Sequence, residues 1–306
     1  MSKRALIFPG QGSQYVGMAK DFYSNSSVAK SIIDEADSVL GIELSKIMFE
    51  GSADELKQTD ITQPAIFLHS IVIMSLLDNF NFDAVAGHSL GEYSALVTAK
   101  VLGWTDALKL VRERGSAMLA CGEEQQGTMA AIIGMPTDDI EENCKIASDK
   151  GIVQCANFNS PGQVVISGSV EGVHKAMELC KNGGAKIVKE LVVSGAFHSK
   201  LMESAGERLL KSLNITDFND ADVPVYANIT ANPEKSKDNF KDLLLKQLTS
   251  PVRWEESIRN MINDGIDEFV EIGPGKVLQG LVKRINRTVK FWGIDKFEDL
   301  GKVNNF

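Results

Sequence analysis

The chain has 306 residues and a formal net charge of −9; 43% of its residues are hydrophobic and 24% are charged. Those are globular values for one large or two modest domains, and the acidic balance speaks against general nucleic-acid binding. The apolar stretch after Met1-Ser2-Lys3-Arg4 is too short for a signal peptide, and the most apolar segment, residues 65–77, is too short to span a bilayer. A cytoplasmic protein away from membranes is expected.

The first strand is expected at residues 5–8, running into Phe8-Pro9-Gly10-Gln11-Gly12-Ser13-Gln14. Gly10 and Gly12 open like a dinucleotide fingerprint, but position 15 is a tyrosine and no Gly-Lys-Ser/Thr appears, so a phosphate cradle is not expected. A glycine-rich loop at a strand end can instead supply an oxyanion donor, for which the Gln11 N–H is the candidate. The alternative is a plain turn in which Ser13 caps the next helix. Residues 65–77 read as a buried helix with His69 packed in the core.

A second strand, at residues 84–87, leads into Gly87-His88-Ser89-Leu90-Gly91 and then a helix. Strand, sharp turn and helix are the context of a nucleophile elbow. The Ser89 hydroxyl then stands exposed at the strand end beside the unpaired N–H groups of the helix, with that of Leu90 as the second oxyanion donor. His88 should turn away from Ser89. The bland alternative is a glycine-rich turn with a capping serine. Residues 104–120 read as a helix with Arg112 and Arg114, which face nearly opposite sides, so at most one points into a cleft. An arginine buried there would select a substrate bearing a carboxylate.

Residues 126–194 follow a separate pattern: strand 128–135, helix 137–150, strands 152–158 and 164–168 joined through Asn159-Ser160-Pro161-Gly162, helix 171–182 and strand 185–193. The order β-α-β-β-α-β is the ferredoxin-like arrangement. It would be inserted into a larger α/β domain, residues 1–125 and 195–306, whose further strands at 223–229, 268–272 and 289–294 alternate with helices around a mainly parallel sheet.

Ser89 needs a base. His198 lies where the insert returns to the large domain, a plausible cleft wall, whereas His174 reads as a surface residue. No acidic partner for His198 stands out. A helix closing at Lys246-Gln247-Leu248-Thr249-Ser250-Pro251 offers a backbone acceptor instead: the Gln247 carbonyl should bond the N–H of residue 251, which is proline and has none. The Nδ1–H of His198 could satisfy it, and water is the alternative. If only that carbonyl matters, replacing the Gln247 side chain should do little. The four cysteines and four histidines are too scattered for a metal site, and no cofactor is expected. Lys276, Lys283, Arg284, Arg287 and Lys290 gather positive charge near the C-terminus, as a solvated face or a patch for an acidic partner.

With these residues assembled, the chain resembles the malonyl-CoA:acyl carrier protein transacylases of type II fatty acid synthesis. The resemblance runs through residues 8–14, 87–92, Val111-x-x-Arg114-Gly115-x-x-Met118, Asn157-x-Asn159-Ser160-Pro161-x-Gln163, residues 195–199, 247–254 and 271–275. It implies an α/β-hydrolase-like large domain with a ferredoxin-like insert. It also implies Ser89 as nucleophile, His198 as base, Gln11 and Leu90 as oxyanion donors, Gln247 as partner of the histidine and Arg114 as carboxylate clamp. Asn157 and Asn159 would lie near the pantetheine arm, and Phe197 belongs to a Gly-Ala-Phe-His motif similar to malonyl-selective members. Malonyl-CoA and acyl carrier protein are the implied substrates, and a monomer is expected. Acetyl-CoA would leave Arg114 buried and unpaired, giving malonyl an advantage of at least about 100-fold. An acyltransferase of a polyketide pathway and a serine thioester hydrolase are the alternatives.

Overall fold

The computed structural model describes residues 2–305. Ten strands form two sheets: β1 (Lys3–Phe8), β2 (Ala84–Gly87), β3 (Gly127–Ile133), β4 (Val153–Ser160), β5 (Gln163–Ser169), β6 (Ile187–Glu190), β7 (Val225–Tyr226), β8 (Pro233–Glu234), β9 (Ile266–Ile272) and β10 (Lys290–Ile294). The larger sheet has the order β10-β9-β1-β2-β7-β8 and is parallel throughout except for the antiparallel edge strand β8. The smaller has the order β4-β5-β3-β6 and is antiparallel throughout. An antiparallel strand between two parallel ones, with a crossover helix on each side of the β4–β5 hairpin, is the split βαβ topology. The architecture is therefore α/β, a mostly parallel six-stranded sheet with a four-stranded antiparallel sheet.

Alternation along β1 explains the layering. Leu6 and Phe8 face a core built with the helices Thr59–Ser75 and Trp104–Glu124, whereas Ala5 and Ile7 face Trp254, Ile258, Leu278 and Val282 on the opposite side. A parallel strand covered on both faces is continuously apolar, as Ala5-Leu6-Ile7-Phe8 is. The small sheet covers one face with the helices Thr137–Ala147 and Val170–Asn182, through Ile140, Cys144, Val173 and Cys180.

Several elements differ in length from the sequence expectation. β7 spans two residues rather than seven, because Asn228 leaves the sheet to hydrogen-bond the turn after β2. β6 stops at Glu190 as a largely exposed edge strand, and Leu191, Val192 and Val193 turn toward the cavity described below. Asn159 and Ser160 belong to β4, leaving Pro161-Gly162 as the turn, with Gly162 in the left-handed region at φ 67°. The helix from Trp104 runs on to Glu124, and the one from Thr137 ends at Ala147.

One close approach fixes how β1 and β2 end. A Cβ on Gly91 would lie 2.1 Å from the carbonyl oxygen of Phe8. Neither backbone can give way, because Phe8 pairs with Gly87 in the sheet and its carbonyl accepts from the His88 N–H. Gly91→Ala is expected to destabilise the fold by about 1–3 kcal/mol, read as a lower denaturation midpoint in a urea titration.

Candidate active site

Ser89 sits at φ 52°, a left-handed conformation that a non-glycine residue adopts only when its surroundings hold it there. Asn228 does the holding: its Oδ1 accepts from the Ser89 N–H at 2.7 Å, and its Nδ2 donates to the Gly87 carbonyl at 2.6 Å. The Ser89 hydroxyl stands at the end of β2, before the helix Gly91–Thr98. It opens into a cavity of about 350 Å³ lined also by Gln11, Leu90, Arg114, Asn157, Asn159, Phe197 and His198. Among the described residues, no group accepts a hydrogen bond from the backbone N–H of Gln11 or Leu90, so both remain available to an oxyanion.

His198 Nε2 lies 2.8 Å from Ser89 Oγ, and its Nδ1 lies 2.8 Å from the Gln247 carbonyl. That carbonyl only accepts, so Nδ1 carries the proton and Nε2 is free to accept one from Ser89. The helix Lys237–Gln247 ends four residues before Pro251, as the missing N–H requires. His198 is also at positive φ, 56°, and Gln154 from β4 donates to its carbonyl at 3.1 Å and to that of Thr249 at 3.2 Å. The small sheet thus grips the loop that carries the imidazole. Burial, followed by the charge of Arg114, pushes the His198 pKa down to about 3, so the ring is neutral near neutral pH.

Arg114 is fully buried. Its Nη1 donates to Gln63 Oε1 at 2.7 Å, and its Nη2 donates to Gln247 Oε1 and to Ser89 Oγ, each at 3.0 Å. The sequence reading leaves the guanidinium unpaired in the absence of a bound carboxylate; instead both terminal nitrogens have neutral acceptors, and the Glu92 carboxyl stands one amide away behind Gln247. Arg112 faces the other way, in an ion pair with Asp60 at 2.9 Å. The Gln247 side chain is also in use, since Nε2 donates to the Ser89 carbonyl at 3.0 Å and to Glu92 Oε2 at 2.8 Å. The premise that only its backbone matters does not hold.

His88 turns from Ser89 and pairs with Asn159 Oδ1 at 2.8 Å. His69 is fully buried, bonded to the Asp295 carbonyl at 2.9 Å, and His174 is exposed beside Glu190. Lys276, Lys283, Arg284, Arg287 and Lys290 are all exposed, on and around the helix Val277–Ile285. Sequence reasoning missed Gln63, Glu92, Gln154 and Asn228. Glu92 did carry a signal, as the sole charged residue of the otherwise uncharged segment Gly91–Thr98. Its burial pushes the carboxyl up to about 7, against the opposing effect of its bonds to Gln247 and Asn228.

A serine–histidine pair and two free N–H groups at the end of a parallel strand define an acyl-transfer site. In keeping with that class, residues 5–299 match the acyl transferase domain family. The chain is 48% identical to the malonyl CoA-acyl carrier protein transacylase of Bacillus subtilis, over 95% of this chain and 92% of that protein. A crystal structure of an acyl carrier protein S-malonyltransferase from Vibrio cholerae superposes with a TM-score of 0.95 at 41% identity, covering 99% of this chain and 100% of the other. A malonyl-transacylase in complex with a type II PKS acyl-carrier protein superposes at 0.96, with 38% identity and complete coverage of both chains. The chain belongs to the malonyl-CoA:acyl carrier protein transacylase family.

The geometry makes a direct statement about protonation. In an NMR titration the His198 ring is expected to stay neutral from pH 8 down to pH 5, because burial disfavours its cation. A midpoint near 6.5, the ordinary imidazole value, would contradict this environment.

Proposed function

We propose that the chain moves the malonyl group from malonyl-CoA to the phosphopantetheine thiol of acyl carrier protein through an ester on Ser89. One observation supports this above the rest: a single buried guanidinium, 3.0 Å from Ser89 Oγ, shares the cavity with a serine–histidine pair. A carboxylate two bonds beyond the reacting carbonyl would give the guanidinium a charged acceptor in direct contact, which it otherwise does not have.

His198 Nε2 takes the Ser89 proton as Oγ attacks the thioester carbonyl. The tetrahedral oxyanion meets the N–H groups of Gln11 and Leu90. The C–S bond then breaks, and the imidazolium returns its proton to the CoA sulfur. In the second half-reaction the carrier thiol gives its proton to His198 and attacks the ester, and Ser89 leaves reprotonated. This is ping-pong acyl transfer. Losing one oxyanion donor typically costs about 100- to 1,000-fold in rate. Asn157, Asn159 and Phe197, on the cavity wall, would contact the pantetheine arm and the acyl group.

Residues 126–194 act as the inserted subdomain that walls the cavity, and residues 1–125 and 195–306 supply the nucleophile, base and clamp. All these groups come from one chain, which supports a monomer as the working unit. A CoA ester as donor supports a cytoplasmic setting, and no helix among the described residues is long and apolar enough to cross a membrane. The relative caught with a type II PKS acyl-carrier protein favours one second reading, in which the carrier belongs to a polyketide pathway; the chemistry at Ser89 is then the same.

Incubation with malonyl-CoA without carrier is expected to leave a malonyl adduct on Ser89, found by intact mass and peptide mapping, with a much weaker adduct from acetyl-CoA. CoA release with no adduct would indicate hydrolysis instead. Arg114→Ala should erase most of the preference for malonyl, and an Arg114→Ala enzyme as selective as the parent would remove the clamp.

A further inference from the structure

The mechanism leaves one buried carboxyl without a task. Glu92 is 1% exposed and is absent from the cavity wall. Its Oε2 accepts from Gln247 Nε2 at 2.8 Å and from the Asn228 N–H at 3.1 Å. Glu92 therefore meets the amide with an acceptor oxygen, and a guanidinium can only donate hydrogen bonds. The Gln247 amide lies between the two, so it has one satisfactory orientation. Nε2 must face Glu92, and Oε1 must face Arg114, as observed.

We propose that Glu92 is a positioning residue for acyl selectivity: through the Gln247 amide it fixes the direction of the Arg114 guanidinium, and with it the preference for acyl groups that bear a carboxylate. This rests on the reading of Arg114 as partner of the malonyl carboxylate. The relay is short and buried throughout, since Glu92, Gln247 and Arg114 are each no more than 1% exposed. A flipped amide would set Nε2 against the Arg114 donors and Oε1 against the carboxylate, leaving buried polar groups on both sides unsatisfied. The backbone of Gln247 serves His198 separately. The side chain can therefore be replaced without deleting the acceptor that orients the imidazole.

A purely structural role is the competing explanation, because Glu92 also holds the N–H of Asn228, which in turn supports Ser89. The two roles separate in selectivity. Ser89 loading from malonyl-CoA and from acetyl-CoA is measured by quenched-flow mass spectrometry for the parent, Glu92→Leu, Glu92→Gln and Gln247→Leu, with thermal denaturation in parallel. Loss of a hydrogen-bonded relay to a charged group predicts that the malonyl-to-acetyl ratio of kcat/KM falls about tenfold in Glu92→Leu and Gln247→Leu. Glu92→Gln can keep an acceptor oxygen where Oε2 stands and should hold the ratio within about threefold of the parent. Malonyl and acetyl loading falling together, an unchanged ratio in folded Gln247→Leu, or Glu92→Gln as impaired as Glu92→Leu would each overturn the proposal. If Glu92→Leu does not fold, Glu92→Met takes its place, with the same fall expected and an unchanged ratio overturning the proposal. Arg114→Ala runs alongside: if it leaves the ratio unchanged, the clamp itself fails, and that failure is distinct from a failure of the relay.

Discussion

Two backbone contacts between neighbouring strand ends govern the site. A Cβ on Gly91 would meet the Phe8 carbonyl at 2.1 Å, and a Cβ on Gly10 would meet the His88 carbonyl at 2.5 Å. The loops after β1 and β2 can therefore lie against each other only with glycine at both points. Gln11 and Leu90, from these two loops, both line the cavity into which Ser89 opens. The next strand, β7, is cut short so that Asn228 can hold the turn in its left-handed conformation. Three adjacent parallel strands thus bring the loop of Gln11, the turn of Ser89 and the bracing Asn228 together at their C-terminal ends, the usual place for a site in such sheets.

His198 is arranged differently from the histidine of the serine, histidine and carboxylate template. His198 faces a backbone carbonyl, which orients the ring and offers a dipole rather than a full charge to the imidazolium. Arg114 nearby opposes that cation further. If Arg114 receives the acyl carboxylate as proposed, that carboxylate would offset its charge and so also ease protonation of His198. Substrate recognition and proton transfer would in that way share one electrostatic balance, since Arg114 and His198 are both buried.

Much of this was legible in the chain because it is local. The strand–turn–helix around Ser89, the proline four residues after Gln247 and the two-residue spacing of Arg112 and Arg114 each state a geometry within a few positions. The topology of the small sheet also followed from its alternating pattern. What the chain did not disclose depends on distant pairs. Glu92 and Gln247 are 155 positions apart, and Ser89 and Asn228 are 139 apart. No local propensity reports such a meeting, and the same ignorance made β7 too long, since Val-Pro-Val-Tyr-Ala-Asn-Ile looks like strand until Asn228 is needed elsewhere. Gln63 was hidden for a similar reason, as a single amide within an apolar helix.

Gln247 addresses the site through two channels of different heritability. Its main-chain oxygen survives any exchange of side chain that leaves the helix end in place, so the orientation of the imidazole is insulated from mutation at that codon. Its amide is not insulated, and it touches the guanidinium and the carboxylate behind it. If the amide sets acyl selectivity as proposed, drift at this position would retune which acyl groups are accepted while the main-chain acceptor of the imidazole stays in place. A lineage could explore new substrates there without first passing through an inactive ancestor.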